Sequence, residues 1–497
     1  MYELLPNIPT QLQGILSDLK YFVPEIYLAA VFVVVLLADL FIGKIYPTVC
    51  KALALMGIAA VAIQVLGQLV EIKDSFFMFG DMLLQSRTSL LFRLIIDLSA
   101  FALILHFNWD KKLKLHAKGL GDLYSITIAS IFGLHLMTMA SNLLSVYLAV
   151  EMVSIASYLL VAYRSENAFS AEAGLKYVLF GAAASAIMLY GISLLYGAGG
   201  SLSLFDPAFV NGLSKANAVA VSFAMVLVLV GIAFKLSFVP AHFWVPDVYQ
   251  GALTPITAWL STVPKIAAFG LLINFLTPFI FSPAWRSFDF KLALSVIGIA
   301  TMIAGNFAAV MQTNAKRMLA YSSVGHTGFA LMAIVTFSDE GIKTLVFYLA
   351  VYAVANIAAL ALVSYFTYIT NSDDIKTYEG LGYKYPAASI CFVIILISLT
   401  GLPVTAGFNA KLLVFSSVYG VYQQNHDIFL LLLTTTGAIT TVVSLFYYIK
   451  IPLHLFLRRS PLIDSPVAPF NLLVLVIIAS AALVFFGIFP SVIINLL

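Results

Sequence analysis

Runs of about 20 apolar residues, the length a helix needs to cross hydrocarbon, recur along nearly the whole chain. Fourteen are read, over 24–42, 50–70, 89–108, 122–140, 142–163, 172–196, 218–239, 254–276, 291–311, 317–337, 342–368, 387–416, 427–451 and 468–496. The connections reach about 20 residues at most, too short for a soluble domain. The pattern predicts an all-α polytopic membrane protein with about 14 transmembrane helices. Composition agrees: 62% of the 497 residues are hydrophobic and 10% charged, against about 25% charged in an ordinary soluble domain.

Against this background the charges inside the runs stand out. Lys176, Lys235, Lys265 and Lys411 each interrupt an apolar stretch, as does Glu151. A charge at the centre of a spanning helix costs roughly 2.5–3.5 kcal/mol. Five left unpaired would cost roughly 12–17 kcal/mol together, so these residues mark an ion or proton pathway. Lysine suits proton transfer better than arginine, because an ammonium gives up its proton when desolvated and a guanidinium does not.

The remaining basic residues orient the chain by the positive-inside rule. With both termini outside, inner connections hold fourteen, among them Lys44, Lys118, Lys316, Arg317 and Arg459, against seven in outer segments. The first 23 residues lack a basic, apolar and small-residue series, so no cleaved signal peptide is expected. Cys50 and Cys391 exclude a disulfide framework, an iron–sulfur site and a four-cysteine zinc site, and read as packing residues. A net charge of +3 gives no reason to expect nucleic acid. Phosphate-loop and zinc-protease motifs are absent, and Gly197–Gly200 reads as a loop after a helix. No flavin, haem or NADH site is expected in this chain.

A short repeat organises the lysines. Gly231-Ile-Ala-Phe-Lys235-Leu and Gly407-Phe-Asn-Ala-Lys411-Leu share Gly-x-x-x-Lys-Leu, each near a proline, Pro240 and Pro403. They fall in spans 7 and 12, and an offset of five spans places them in opposite orientation across the bilayer. Inverted repeats with interrupted helices are a recurring transporter design. The expected division is 1–121 for flanking helices 1–3, 122–276 for a first repeat of spans 4–8, 277–451 for an inverted repeat of spans 9–13, and 452–497 for flanking helix 14, with helices 7 and 12 broken.

Glu151 reads as the partner of Lys235, each offsetting the desolvation of the other and coupling their protonation. Lys265 follows Pro264, another expected break. Lys176 follows Glu172 by four residues, so a helix-surface ion pair competes with a pathway role. His242 and His326 are candidate bridges between lysines, since imidazole both donates and accepts a proton near neutral pH. Arg93 and Asp97, spaced i,i+4, are expected to neutralise each other, and Asp39 to lie at the interface.

The segment Val239-Pro-Ala-His-Phe-Trp-Val-Pro-Asp-Val-Tyr-Gln-Gly-Ala-Leu-Thr-Pro255, with Lys235 before it and Lys265 after it, resembles the antiporter-like membrane subunits of respiratory NADH:quinone oxidoreductase (complex I). Glu151, the Lys176-Tyr segment and Thr313-Asn-Ala-Lys-Arg-Met-Leu-Ala-Tyr-Ser-Ser-Val-Gly-His326 fit the same family. Within it, Pro24-Glu-Ile-Tyr, the lysine at 411 and an ending soon after span 14 are most similar to the N type. Ala241 departs from the larger residue many relatives carry there. The resemblance implies fourteen helices, inverted five-helix repeats, and Glu151 and Lys235 as a coupling pair. It further implies Lys265 as central relay, Lys411 in the second half-channel, and His242 and His326 along the polar axis. Partners would be the other membrane subunits, lipid, protons and internal water, with redox cofactors held elsewhere. The alternatives are a subunit of a multi-component cation/proton antiporter, and a structural spacer without a proton path.

Overall fold

The computed structural model describes residues 8–43, 46–114, 119–458 and 470–496. Lys44, Lys118 and Arg459, counted above for orientation, and the first two residues of the last run lie outside them.

Thirteen of the described helices are long and apolar enough to cross a membrane. In chain order the spanning elements are α1 (Val23–Ala38), α2 (Pro47–Glu71), α3 (Arg87–Trp109), α4 (Gly121–Met139), α5 (Leu143–Val161), α6 (Ala168–Gly199) and α7a (Ala218–Leu236). After the short α7b (Val245–Gly251) come α8 (Thr254–Ile280), α9 (Phe290–Val310), α10 (Ala315–Val335) and α11 (Asp339–Thr370). The expected twelfth run is divided into α12a (Pro386–Thr400) and α12b (Ala406–Asn425), followed by α13 (Ile428–Tyr448) and α14 (Phe470–Ile488). A small hairpin, β1 (Phe76–Met78) paired antiparallel with β2 (Leu83–Gln85), joins α2 to α3.

Both expected interruptions are present. Helix α7a stops at Leu236, with Ser237 in the left-handed conformation at φ +61°, and helix resumes at Val245. Helix α12a ends at Gly401, φ +85°, and α12b begins at Ala406. The expected break at Pro264 is not there: α8 runs unbroken through it. Pro264 lacks the N–H that would hold a carbonyl one turn earlier, and α11 braces that turn. Tyr352 Oη donates to the Ser261 carbonyl at 3.1 Å, and Asn356 Nδ2 to Ser261 Oγ and Thr262 Oγ1 at 2.6 and 2.9 Å. The glycine run 197–199 also differs from expectation, since α6 continues to Gly199 and closes at Gly200, φ +73°.

Large apolar side chains on the outer helix faces are exposed, among them Leu148 and Ile155 of α5 and Val442 and Phe446 of α13. The interior carries the polar groups. Lys265, Asn356, Ser323 and Arg93 are buried within α8, α11, α10 and α3. That distribution is what lipid as solvent dictates, because a polar group facing hydrocarbon has no partner. Helices α9 and α10 pack closely at Gly305, where a Cβ would stand 2.4 Å from the Gly325 backbone nitrogen, as small residues permit.

Candidate functional site

At the first interruption, Lys235 occupies the last turn of α7a, whose orphan carbonyls give that end partial negative charge. The expected contact with Glu151 is not made. Lys235 Nζ and Glu151 Oε1 both lack a hydrogen-bond partner among the described residues, and the carboxylate acts on the ammonium through space. Between α5 and α7a stands Tyr158, two helical turns beyond Glu151, with its ring centroid 5.9 Å from Lys235 Nζ. Its hydroxyl is likewise buried without a partner. A group able to pass a proton thus stands close to Lys235, on the helix that carries Glu151.

From there aromatic side chains lead inward. Tyr158 meets Tyr177 edge-on at 5.0 Å, Tyr177 stacks on Trp244 at 4.6 Å, and Trp244 meets Tyr249 at 6.0 Å. Tyr249 lies beside Ser323 and Tyr352. His242 is partly exposed on the interrupted segment, and its Nδ1 has no hydrogen-bond partner among the described residues.

Lys265, 1% exposed, donates to Ser323 Oγ at 2.6 Å. Three residues along α10, the His326 ring lies 5.0 Å from the Tyr352 ring. His326 Nδ1 is 2.7 Å from Tyr348 Oη and Nε2 is 3.1 Å from Tyr448 Oη, which in turn bonds Ser322 Oγ. Each ring nitrogen therefore has a hydroxyl partner that both gives and accepts a proton.

Lys411 donates to the Thr400 carbonyl at 2.8 Å and so caps the C-terminal end of α12a. Two small cavities meet at His326, Tyr348 and Lys411, one reaching Asn306 and Ser444, the other Tyr352 and Gly407. Each has room for about one water molecule. Lys235 and Lys411 thus both lie beside a helix interruption, but only Lys411 bonds a helix-end carbonyl, and the two differ in chain position. Lys235 precedes its break and Lys411 follows its own. The shared Gly-x-x-x-Lys-Leu string therefore falls on opposite sides of the two interruptions.

Lys176 lies at the surface and bridges Glu172 at 2.9 Å and Asp247 of α7b at 3.0 Å. Arg317 Nη1 holds the other Asp247 oxygen at 2.8 Å. Burial works to raise the Asp247 carboxyl, and Arg317 with Lys176 overcomes it, leaving it below the ordinary carboxylate range. Lys316, counted above as an inner-loop charge, is instead buried. It donates to the Gln250 and Ala252 carbonyls at 2.8 and 3.1 Å and pairs with Asp373 at 3.2 Å. The C-terminal end of α7b is closed by a lysine too.

The sequence pattern alone did not single out Tyr158, Tyr177, Tyr249, Tyr348, Tyr352, Asn356 and Tyr448. A signal existed for three of them: Tyr348, Tyr352 and Asn356 fall at i, i+4 and i+8, a polar stripe along an apolar helix. Among the described residues no group of three or more His, Cys, Asp or Glu is placed to hold a metal ion. Cys50 and Cys391 are free and buried.

This arrangement, buried lysines at the ends of interrupted helices joined by hydroxyls and imidazole, belongs to a known class. A model of the NADH:quinone oxidoreductase/Mrp antiporter transmembrane family matches residues 140–441, and the chain belongs to that family. It is 37% identical over 473 residues to NADH-quinone oxidoreductase subunit N 2 of Chloroherpeton thalassium, covering 93% of this chain and 90% of that protein. A chain of respiratory complex I from Thermus thermophilus superposes with a TM-score of 0.78 at 29% identity, over 95% of this chain and 98% of that one. A chain of the Mrp complex from a Dietzia species has the same fold, with a TM-score of 0.80 at 17% identity and 95% of both chains covered.

Proposed function

We propose that this chain is a proton-translocating membrane subunit of an NADH:quinone oxidoreductase, driven by quinone reduction in other subunits. The observation that carries the reading is the line from Lys265 through Ser323, Tyr352, His326 and Tyr348 to Lys411. Every group on it is buried, and every side-chain nitrogen has a partner. Similarity to proteins named subunit N favours this over a multi-component cation/proton antiporter.

The roles follow from the surroundings. Glu151 and Lys235 are coupled charges with Tyr158 beside Lys235, Lys265 is the central relay, and Lys411 serves the second half-channel. His326 passes protons between its two tyrosines. His242 and Lys176 belong to the margin of the path, where Lys176 ties α6 to the interrupted α7b. Water in the cavities beside Lys411 completes transfer at that end. The inverted-repeat division at 122–276 and 277–451 and the outside placement of both termini are part of the proposal. So are location in the cell inner membrane and neighbouring antiporter-like subunits as partners.

The test is the number of protons pumped per electron in assembled complexes carrying Lys235→Ala or Lys411→Ala. The path predicts a reduced ratio in each. An unchanged ratio in both would leave only a mechanical spacer.

A further inference from the structure

A second group of ionisable side chains lies away from the lysine line, where α1, α3 and α4 meet. Glu25, Gln85, Arg93, Asp97 and His135 are all at 0% exposure. The expected Arg93–Asp97 pair is not formed. Arg93 Nη1 instead donates to Glu25 Oε1 at 2.7 Å and Nη2 to Gln85 Oε1 at 2.7 Å. Between the two carboxylates stands His135, with Nδ1 3.0 Å from Glu25 Oε1 and Nε2 3.0 Å from Asp97 Oδ1.

That geometry fixes a proton count. A neutral imidazole has one N–H and one lone pair, so with both carboxylates ionised one of these contacts would set a lone pair against a carboxylate oxygen. The site would also hold a net charge of −1 without access to water, at the cost of a buried unpaired ion. One added proton removes both problems, whether it sits on the ring or on a carboxyl. Among the described residues no further charged side chain bonds to the group, and α11, which also packs on α3, carries its charges, Asp339, Glu340 and Lys343, in its first two turns. Helix α2 contributes neutral Gln68, which accepts from Gln85, and neutral Gln64 one turn earlier. Helix α8 brings Asn274, which donates to the Thr138 and Ala140 carbonyls, and carries Lys265, committed to Ser323. Helix α5 carries Glu151, a further negative charge, beside Met152, which packs at Gly133 one half-turn from His135.

We propose that Glu25, His135 and Asp97 form a proton-binding site that holds one shared proton, separate from the lysine path. Glu25 Oε2 and Asp97 Oδ2 have no partner among the described residues, which leaves a free oxygen on each carboxylate able to carry the proton. Because the proton is shared, its titration belongs to the group and not to one residue. Its release breaks one of the two 3.0 Å contacts, so occupancy is linked to how α4 packs against α1 and α3.

The experiment uses the assembled complex in membranes with isotope-labelled histidine rings, read by infrared spectroscopy at about pH 8. A free histidine of pKa about 6.5 is then only about 3% protonated. The site predicts one proton equivalent per chain still present, as an imidazolium or as a carboxylic-acid carbonyl. Asp97→Asn makes the group neutral without that proton, so the equivalent should vanish while quinone reduction shows that the complex still assembles. A wild-type spectrum with a neutral ring and both carboxylates ionised overturns the proposal. Should Asp97→Asn fail to assemble, Glu25→Gln supplies the second test: it too makes the group neutral without the proton, and an equivalent that persists there would overturn the proposal.

Discussion

Lys265 separates a proton carrier from a fixed charge. In Lys265→Met, removal of a charge from the interior is favourable by roughly 2.5–3.5 kcal/mol on insertion scales. The change also removes the bond to Ser323 Oγ at 2.6 Å, and a bond from a charged donor is worth about 1.5–3 kcal/mol. The two terms nearly cancel, and methionine fills similar volume, so stability should stay within about 2 kcal/mol of wild type. Proton transfer should nonetheless slow more than about tenfold, a rise of over about 1.4 kcal/mol in the barrier. Lys265→Arg keeps the charge but holds its proton, and should pump as poorly as Lys265→Met. The assay is NADH-driven proton uptake by inverted vesicles, normalised to quinone reduced, with thermal unfolding alongside. Wild-type pumping by Lys265→Arg would refute proton release by this residue. A large loss of stability in Lys265→Met would refute the energy balance.

Other predictions concern the break, the histidine and the acid limb of stability. A Cβ at Gly407 would lie 1.8 Å from the Ser398 carbonyl oxygen, so Gly407→Ala should push α12b from α12a and draw Lys411 off Thr400. Proton-to-electron ratio should fall in that variant, whereas Gly420→Ala, where a Cβ meets nothing within 4 Å, should be silent. Tyr348→Phe removes the 2.7 Å partner of His326 Nδ1 and preserves the ring; proton transfer should slow several-fold at a stability cost of about 0.5–1.5 kcal/mol. Burial works against the Asp373 carboxylate, but Lys316 and the Thr367 hydroxyl hold it below its ordinary range. Its contribution to stability is therefore complete above the unfolded value of about 3.9 and is lost as pH falls through the lower folded value. Acid unfolding of Asp373→Asn should show a shallower pH dependence over that window, and an unchanged slope would count against the Lys316 pair.

Span positions were legible because hydrocarbon thickness imposes a length and a composition that any apolar run displays locally. Twelve helices follow the runs to within a few residues, α14 ends at Ile488 within the run 468–496, and the divided run 387–416 is the one carrying Gly401, Pro403 and Gly407. The lysines were legible for the converse reason, since a charge in such a run is costly wherever its partners lie. Partner identity was not. Arg93 and Asp97 sit one turn apart, yet each bonds a side chain from another helix, Glu25 and His135. Spacing says which residues share a helix face, and it is silent on what that face meets.

Lys316 makes the same point from the other side. As a string it is a loop cation that helps orient the chain; in the fold it closes the carbonyl end of α7b, as Lys411 closes that of α12a. Local chemistry determined where helices begin, break and carry charge, because those features depend on the chain and its solvent alone. Only tertiary structure decided which carbonyl ends, hydroxyls and rings surround each charge. Such contacts join residues tens to hundreds of positions apart, as Lys265 to Ser323 or His326 to Tyr448, and packing alone brings them within bonding distance.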